Sequence, residues 1–291
     1  MEKISYHSYS KNKDARFSIL IPTWNNLGYL KLCVDSIKKN SRFSHQLILH
    51  VNESADGTLE WARGNELDHT FSAKNIGVCY ALNAAAALAK TDYIVYVNDD
   101  IYVCPDWDYF LWEEIQNLGA IDYMLSSTLI EPNGTGNPCV ISASEFGDSI
   151  ENFREDLLLE KFRQFSKPDW SGGGGTCNVV AKGLWQLVGG YSVEFSPGMN
   201  SDPDFFMKLW QVGVRYFKGV SKSRAYHFQC KTTSRVLELN DGRKQFQRKW
   251  KLPSSTFKKT YMQMGKKFEG PLSAPKESLA LKFDRLRSRL F

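Results

Sequence analysis

The sequence has no apolar run that approaches the roughly 18 residues needed to cross a membrane. Its first 17 residues are polar and charged, without the apolar centre that signal peptides have. Six cysteines are present but no Cys-x-x-Cys pair, and several of them lie within apolar segments. Such spacing is typical of buried, reduced thiols and argues against zinc ligands. We therefore expect a cytoplasmic chain that is soluble, or peripheral at the inner membrane surface.

Two signatures of nucleotide and acyl chemistry are also missing. No Gly-rich loop with neighbouring Arg and Lys follows the first predicted strand, which argues against a nucleotidyltransferase. No Ser-His-Asp or Cys-His arrangement is recognisable, which argues against a covalent intermediate.

Positive charge is confined to the C-terminal part of the chain. Residues 231–291 hold 16 Lys and Arg against 5 Asp and Glu, a net charge of +11, whereas residues 1–230 hold 21 against 27, or −6. No nucleic-acid motif accompanies this charge, so we expect no nucleic-acid partner.

Short apolar strands alternate with amphipathic helices through the first third of the sequence. Strands are predicted at 17–21, 46–51, 69–72 and 93–97, with helices that begin near Asn26, Asp56 and Asn75. Further predicted elements are a helix at 107–118, a strand at 123–130, a helical stretch at 149–165 and a strand at 224–228. The alternation predicts an α/β fold with a mostly parallel central sheet flanked by helices. Ligands of such sheets bind beyond the carboxyl ends of the strands.

An acidic cluster, Asn98-Asp99-Asp100, directly follows the predicted strand at 93–97. It places carboxylates at the crevice without a local cation, and hard oxygen ligands favour Mg²⁺ or Mn²⁺ completed by substrate phosphates. A solvated turn that caps the next helix is the alternative interpretation.

A second acidic pair, Asp202 and Asp204, precedes an apolar helical pattern at 205–210 and so lies at a helix N-terminus. Capping and compensation of the helix dipole would explain the pair without any catalytic role. His227, at the end of the last predicted strand, can be a metal ligand or a structural residue. Trp170 and the glycines 172–175 predict either a backbone surface that a ligand approaches closely or core packing beside a flexible hinge.

These segments occur in the order found in family 2 glycosyltransferases of the GT-A fold, which the sequence resembles over about residues 17–229. The resemblance rests on segments 17–26, 51–58, 75–83 and 98–100, the glycine run, segment 201–204 and His227.

The resemblance implies a nucleotide pocket along the first half of the sheet. Its strand-end pair would be Pro22 and Thr23, and Asn52 and Glu53 would contact the base. Asn75-x-Gly77 and Asn83 match the family's helix start, where exposed N–H groups favour an anionic ligand. Asn98 and Asp99 match the first positions of its Asp-x-Asp motif.

The resemblance also implies the catalytic roles. Asp100 and His227 would hold Mn²⁺ or Mg²⁺. Asp202 would be the general base, with Asp204 as its alternative or as a positioning partner. Trp170, Gly173 and Gly174 would contact the donor or acceptor sugar. Two positions depart from the family pattern, because Asn98 and Ser201 stand where the family has an acid.

The function implied is inverting transfer of a sugar from a nucleotide diphosphate donor, by family habit a UDP-sugar, to a hydroxyl of a glycan or lipid-linked acceptor, as in cell-surface polysaccharide synthesis. A non-catalytic carbohydrate-binding or scaffold protein with the same fold is the alternative, because of the two departures.

We predict a GT-A domain over residues 1–230, with a nucleotide-binding half at about 17–105 and an acceptor-binding half at about 106–230. A basic, partly helical extension follows at 231–291. Its last stretch predicts a basic amphipathic helix, which would contact an anionic membrane surface, pack on its own domain or join two copies in a homodimer.

Overall fold

The computed structural model describes residues 3–10, 13–119, 122–230 and 240–288. Within these residues, eleven strands form one mixed sheet with helices on both faces. The strands are β1 (Ile4–His7), β2 (Ser18–Trp24), β3 (Gln46–Asn52), β4 (Asp68–Ser72), β5 (Tyr93–Tyr96), β6 (Ile101–Val103), β7 (Tyr123–Glu131), β8 (Ile141–Ser142), β9 (Trp170–Ser171), β10 (Asn178–Ala181) and β11 (Tyr216–His227).

The helices connect the strands and build the C-terminal part. They are α1 (Leu27–Asn40), α2 (Thr58–Gly64), α3 (Gly77–Ala86), α4 (Trp107–Leu118), α5 (Glu155–Lys161), α6 (Lys182–Leu187), α7 (Ser201–Gln211), α8 (Gly242–Trp250), α9 (Ser254–Thr256) and α10 (Leu279–Ser288). A π-helical turn at Phe257–Tyr261 follows α9, and short 3₁₀ turns lie at Ser144–Phe146, Ile150–Asn152 and Val193–Phe195.

The sheet order is β1-β4-β3-β2-β5-β10-β7-β11-β6, with β8 beside β7 and β9 beside β11. Strands β4, β3, β2 and β5 are parallel to one another, as are β7 and β11. This confirms the predicted α/β fold with a mixed, mostly parallel sheet. Strand β10 lies antiparallel between β5 and β7 and so joins the two parallel groups.

Alternating side chains of each strand enter two separate cores, because successive residues of a strand point to opposite faces. In β2, Ile19 and Ile21 pack against α1, α2 and α4, whereas Leu20 packs on the opposite face with α3, α6 and α7. The apolar spacing in α1 that predicted a helix is the spacing that faces the first of these cores.

Some element boundaries differ from those expected. The helix expected from Asn75 to about residue 90 ends at Ala86, and the stretch expected at 149–165 contains only a 3₁₀ turn and the seven residues of α5. Asn26 precedes α1 but makes no side-chain cap. The backbone N–H of Leu27 instead donates to Asp56 Oδ2 at 2.8 Å.

The described part of the basic extension, residues 240–288, packs into the core beside α6 and α7. Phe246, Phe257, Met262 and Leu281 are buried there. The start of the predicted extension at 231–239 lies outside the described residues. None of the helices in the described ranges is long and apolar enough to span a bilayer. All six cysteines carry free thiols, and all but Cys230 are fully buried.

Candidate active site

A cavity of about 570 Å³ opens at the carboxyl ends of β2, β3 and β5. Because these strands are parallel, the residues that follow each of them reach the same edge of the sheet. Thr23, Asn52 and the cluster Asn98-Asp99-Asp100 therefore line one cavity. Asp202 lines the same cavity from the N-terminus of α7, so Asp100 and Asp202 converge although they are remote in sequence.

Strand register brings Asp100 to His227. Strand β6 pairs antiparallel with β11 so that Ile101 lies opposite His227, and the backbone N–H of Phe228 donates to the carbonyl of Asp100 at 3.1 Å. The imidazole of His227 then lies between two carboxylates. Its Nδ1 is 2.9 Å from Glu131 Oε1, and its Nε2 is 3.5 Å from Asp100 Oδ2.

The two carboxylates determine the charge of His227. Burial lowers the pKa of the imidazole, but Asp100 and Glu131 outweigh this effect and raise the pKa to about 10. Burial likewise raises the pKa of Asp100, yet His227 and the backbone N–H of Cys230, which donates to Oδ2 at 2.8 Å, bring that pKa below its ordinary value.

Once a divalent cation displaces the Nε2 proton of His227, the Asp100–His227 pair has the donor chemistry to hold that cation jointly with phosphate. Glu131 engages Nδ1, so Nε2 faces Asp100, which is the arrangement by which a carboxylate orients a metal-ligating histidine. In the described ranges, no three His, Cys, Asp or Glu side chains form a complete metal cage. Mg²⁺ and Mn²⁺ are commonly held by one or two protein ligands plus substrate phosphates and water, so two ligands fit.

Asp202 lies in the first turn of α7 and is held from one side. The phenol of Tyr191 donates a hydrogen bond of 2.9 Å to Asp202 Oδ1. Gly175 lies beside the other oxygen, Oδ2. A Cβ added to Gly175 would be 3.8 Å from Oδ2, so this residue does not crowd the oxygen. Desolvation raises the pKa of Asp202 to about 6, although the Tyr191 hydrogen bond and the charge of Lys258 act in the opposite direction. Asp202 is thus a carboxylate with one fixed oxygen and one oxygen facing the cavity.

Asp204 faces away from the cavity. Its side chain is fully buried, and Oδ1 accepts from Trp250 Nε1 at 2.8 Å and from Lys249 Nζ at 2.9 Å, both on α8. It is not among the residues that line the cavity. Asp204 therefore joins α7 to the C-terminal extension.

The strand-end residues expected at the nucleotide pocket, Pro22, Thr23 and Asn52, line the cavity together with Asn75 and Gly77. The hydroxyl of Thr23 is buried and finds no hydrogen-bond partner within the described residues. The amide of Asn52, in contrast, is already engaged by the carbonyl of Thr23 and by the N–H of Ile76.

The start of α3 does not have the open N–H groups that the Asn75-x-Gly77 pattern predicted. The N–H groups of Ile76 and Gly77 donate to the side chains of Asn52 and Asn75, and that of Val78 donates to the carbonyl of Pro197. Acceptors from the protein thus occupy the positions expected for an anion.

Glu53 and Asn83, which were also expected to contact the nucleotide, form hydrogen bonds within the protein and do not line the cavity. Glu53 accepts from Trp24 Nε1 at 2.7 Å and from the amide of Asn25 at 3.2 Å, and it does not line the cavity. Asn83 forms two hydrogen bonds with the backbone of Tyr191, donating to its carbonyl and accepting from its N–H. Asn83 thereby fixes the segment that carries the Asp202 partner.

Trp170 does not offer a face for sugar stacking. It is 2% exposed, its Nε1 donates to Thr128 Oγ1, and its indole lies directly on Gly219. Gly173 packs against Phe206, and Gly174 is hydrogen-bonded within the protein. The glycine run reaches the cavity one residue later, at Gly175.

Sequence reasoning missed Glu131 and Tyr191. Glu131 had a signal, because it is an acid directly after the predicted strand at 123–130, and in the structure it is the last residue of β7. Tyr191 follows two glycines between α6 and α7, where no periodic pattern marks its role.

Comparison with known proteins assigns the chain to a family. The family model described as Glycosyl transferase family 2 matches residues 18–174, more than half of the chain. Among curated proteins, the hyaluronan synthase of Pasteurella multocida is 25% identical over 222 residues, and the chondroitin synthase of P. multocida strain Pm70 is 26% identical over 216 residues. These matches cover 74% and 72% of this chain, which spans only about a fifth (21% and 20%) of each relative.

A solved structure has the same fold. GalNAc-T7 with UDP, GalNAc and Mn²⁺ superposes with a TM-score of 0.57 at 15% identity, over 81% of this chain and 48% of that one. The match to the family model, the sheet topology and the convergence of acidic residues at the carboxyl ends of the strands agree with one another, and the chain belongs to glycosyl transferase family 2.

Proposed function

We propose that this protein is an inverting glycosyltransferase that moves a sugar from a nucleotide diphosphate donor to an acceptor hydroxyl. The observation that carries the proposal is that Asp100 and Asp202 line one cavity at the sheet edge where α/β folds bind ligands. One carboxylate lies beside a histidine, and the other is enclosed and separately oriented. Their surroundings suit two different tasks.

Asp202 acts as the general base. Tyr191 fixes Oδ1, so Oδ2 faces the acceptor and takes the proton of its hydroxyl. The acceptor oxygen then attacks the anomeric carbon, the bond from that carbon to the diphosphate oxygen breaks, and the diphosphate leaves with the electron pair. A pKa of about 6 keeps Asp202 ionised at neutral pH yet more basic than an ordinary aspartate.

Asp100 and His227 would hold Mn²⁺ or Mg²⁺ at the diphosphate side of the donor. The cation, when bound, neutralises the negative charge that grows on the leaving diphosphate. Glu131 orients the imidazole of His227 through Nδ1. The backbone N–H of Asn98 donates to Thr176 Oγ1 at 2.8 Å, which fixes the start of the Asn98-Asp99-Asp100 cluster.

UDP-sugars are the proposed donors. The solved structure of GalNAc-T7 contains UDP, GalNAc and Mn²⁺, and the two curated relatives are named as synthases of hyaluronan and chondroitin. These names favour a glycan acceptor, free or lipid-linked, in polysaccharide synthesis. Thr23, with its unpartnered hydroxyl, would contact the nucleotide.

The test is release of nucleotide diphosphate from a panel of UDP-sugars with Mn²⁺, measured with and without glycan acceptors. Release that is stimulated by an acceptor and abolished by EDTA supports the proposal. Binding of donor without release under any condition would instead favour a carbohydrate-binding protein that kept the fold and lost turnover.

A further inference from the structure

Helix α10 presents large apolar side chains to solvent although it is already packed on the protein. Leu279, Phe283 and Leu286 are 86%, 64% and 62% exposed. Their spacing of four and three residues places them on one side of a helix. We call these three side chains the apolar stripe.

The opposite side of α10 attaches the helix to the extension. Leu281 is buried in the core, Asp284 Oδ2 accepts from Thr256 Oγ1 at 2.5 Å, and Arg285 donates to the hydroxyl of Tyr261 at 2.7 Å. The helix therefore has a docked side and a solvent side. The apolar stripe is not explained by packing within the described chain.

Basic residues border the apolar stripe. Lys282 and Arg287 are exposed on either side of it. Of the nearby acids, Asp284 faces Thr256 on the docked side, whereas Glu277 pairs with Arg285 at 3.2 Å and more loosely, at 3.7 Å, with Lys282. The described extension, residues 240–288, holds 13 Lys and Arg against 4 Asp and Glu. A surface that covers the stripe therefore meets the positive ends of Lys282 and Arg287, on an extension that is basic overall.

The positive charge beside the apolar stripe distinguishes between two surfaces that could cover it, a second copy of the chain and a lipid bilayer. A second copy of the chain would bring an equally basic extension against the first, and three side chains provide far less apolar area than the total of about 1,200–2,000 Å² that stable protein interfaces bury. A bilayer with anionic headgroups has both the apolar interior and the negative charge that this side of α10 matches.

We propose that α10 docks on an anionic phospholipid bilayer, with the apolar stripe inserted among the headgroups and Lys282 and Arg287 on the lipid phosphates. The apolar stems of these two side chains can follow the stripe while their charged ends stay at the headgroups. This contact is independent of the transfer reaction, so its test does not depend on donor or acceptor.

The experiment is co-sedimentation of the full chain with vesicles of phosphatidylcholine alone or with phosphatidylglycerol added, at low and high salt. The stripe variant replaces Leu279, Phe283 and Leu286 by Ser. The matched control is Leu187→Ser, because Leu187 is 66% exposed on α6 and outside the stripe. A charge variant carries Lys282→Gln and Arg287→Gln. Thermal unfolding shows that each variant is folded.

We expect the wild type and Leu187→Ser to bind anionic vesicles, with binding weakened by salt. The stripe variant and the charge variant should each partition on the order of tenfold less. The proposal is overturned if the wild type does not sediment with anionic vesicles, or if the stripe variant sediments as the wild type does. It is also overturned if the stripe variant only abolishes a concentration-dependent dimer, which would assign the stripe to a second copy.

Discussion

Asp202 and Asp204 occupy the same turn of α7 but have opposite surroundings. Asp202 faces the cavity with one oxygen held by a neutral phenol, whereas Asp204 is fully buried against a lysine and an indole of α8. A carboxylate that must accept a proton needs an accessible oxygen, and of the two only Asp202 lines the cavity, where desolvation also raises its pKa to about 6. The two residues are therefore separable by mutation.

Replacing Asp202 by Asn should abolish transfer without unfolding the protein. The amide oxygen of Asn can still accept from Tyr191, so the geometry is kept while the base is lost. We expect kcat to fall by roughly 10²- to 10⁴-fold. The measurement is acceptor-dependent release of nucleotide diphosphate, with donor binding as the control that should be unchanged.

The same variant should be more stable than the wild type at neutral pH. The folded-state pKa of Asp202, about 6, lies above its ordinary value of 3.8. Stability from this group is therefore fully present below about pH 4 and is lost as pH rises through 6. Thermal unfolding should show Asp202→Asn with the higher Tm at pH 7.5 and a smaller difference at pH 4. Equal differences at both pH values would contradict the raised pKa.

Tyr191→Phe should move the acidic limb of the pH–rate profile to higher pH. The phenol hydrogen bond favours the ionised form of Asp202, so its loss raises the carboxyl pKa further. In the wild type we expect kcat/KM to rise with pH through about 6 and then level off. A merely structural defect would lower activity equally at all pH values, without moving the limb.

At the scale of elements, the contact between α7 and α8 links the helix that carries Asp202 to the basic extension. Asp204→Asn should break the ion pair with Lys249 and weaken the hydrogen bond from Trp250, lowering the free energy of unfolding by about 1.5–3 kcal/mol. Below the unfolding transition, kcat should change little. Asp241→Asn, an exposed substitution at the start of α8, is the matched control and should leave stability unchanged.

The elements that follow a simple period were predictable from sequence. Helix α4 was expected at its observed bounds, and β2, β3 and β5 lie where short apolar runs predicted them. Strands that are set by their partners were not predictable. Strand β10 follows the glycine run and pairs antiparallel on both sides, and the two-residue β9 depends on β11, so local periodicity carries no trace of them.

For the candidate site, the sequence predicts which residues reach the cavity but not how their side chains are oriented. Residues directly after parallel strands reach the cavity because the topology takes them there, and Thr23 and Asp100 follow that rule. The orientation of a side chain depends on tertiary partners, which the sequence does not reveal. Trp170 and Asn83 were expected to contact ligands. In the structure Trp170 packs against Gly219 and Asn83 is hydrogen-bonded to the backbone of Tyr191, so both stabilise the fold.

At the scale of the whole molecule, the boundary between acidic and basic sequence is not a boundary of the hydrophobic core. In the sequence, residues 1–230 have a net negative charge and the extension at 231–291 has a net positive charge. The described part of the extension nevertheless packs into the same core as α7. Its residue Lys258 lies close enough to Asp202 for its positive charge to lower the pKa of that carboxyl. The extension therefore influences the charge of Asp202 at the cavity as well as carrying α10.

The central claim is that Asp100 acts at the diphosphate of the donor and Asp202 at the hydroxyl of the acceptor. Calorimetric titration of UDP into the wild type, Asp100→Asn and Asp202→Asn, each with Mn²⁺ and with EDTA, tests it most directly. We predict that Mn²⁺ tightens UDP binding by at least on the order of tenfold in the wild type and in Asp202→Asn, and that Asp100→Asn loses this gain. Absence of UDP binding by the wild type, or an undiminished Mn²⁺ effect in Asp100→Asn, would contradict the account.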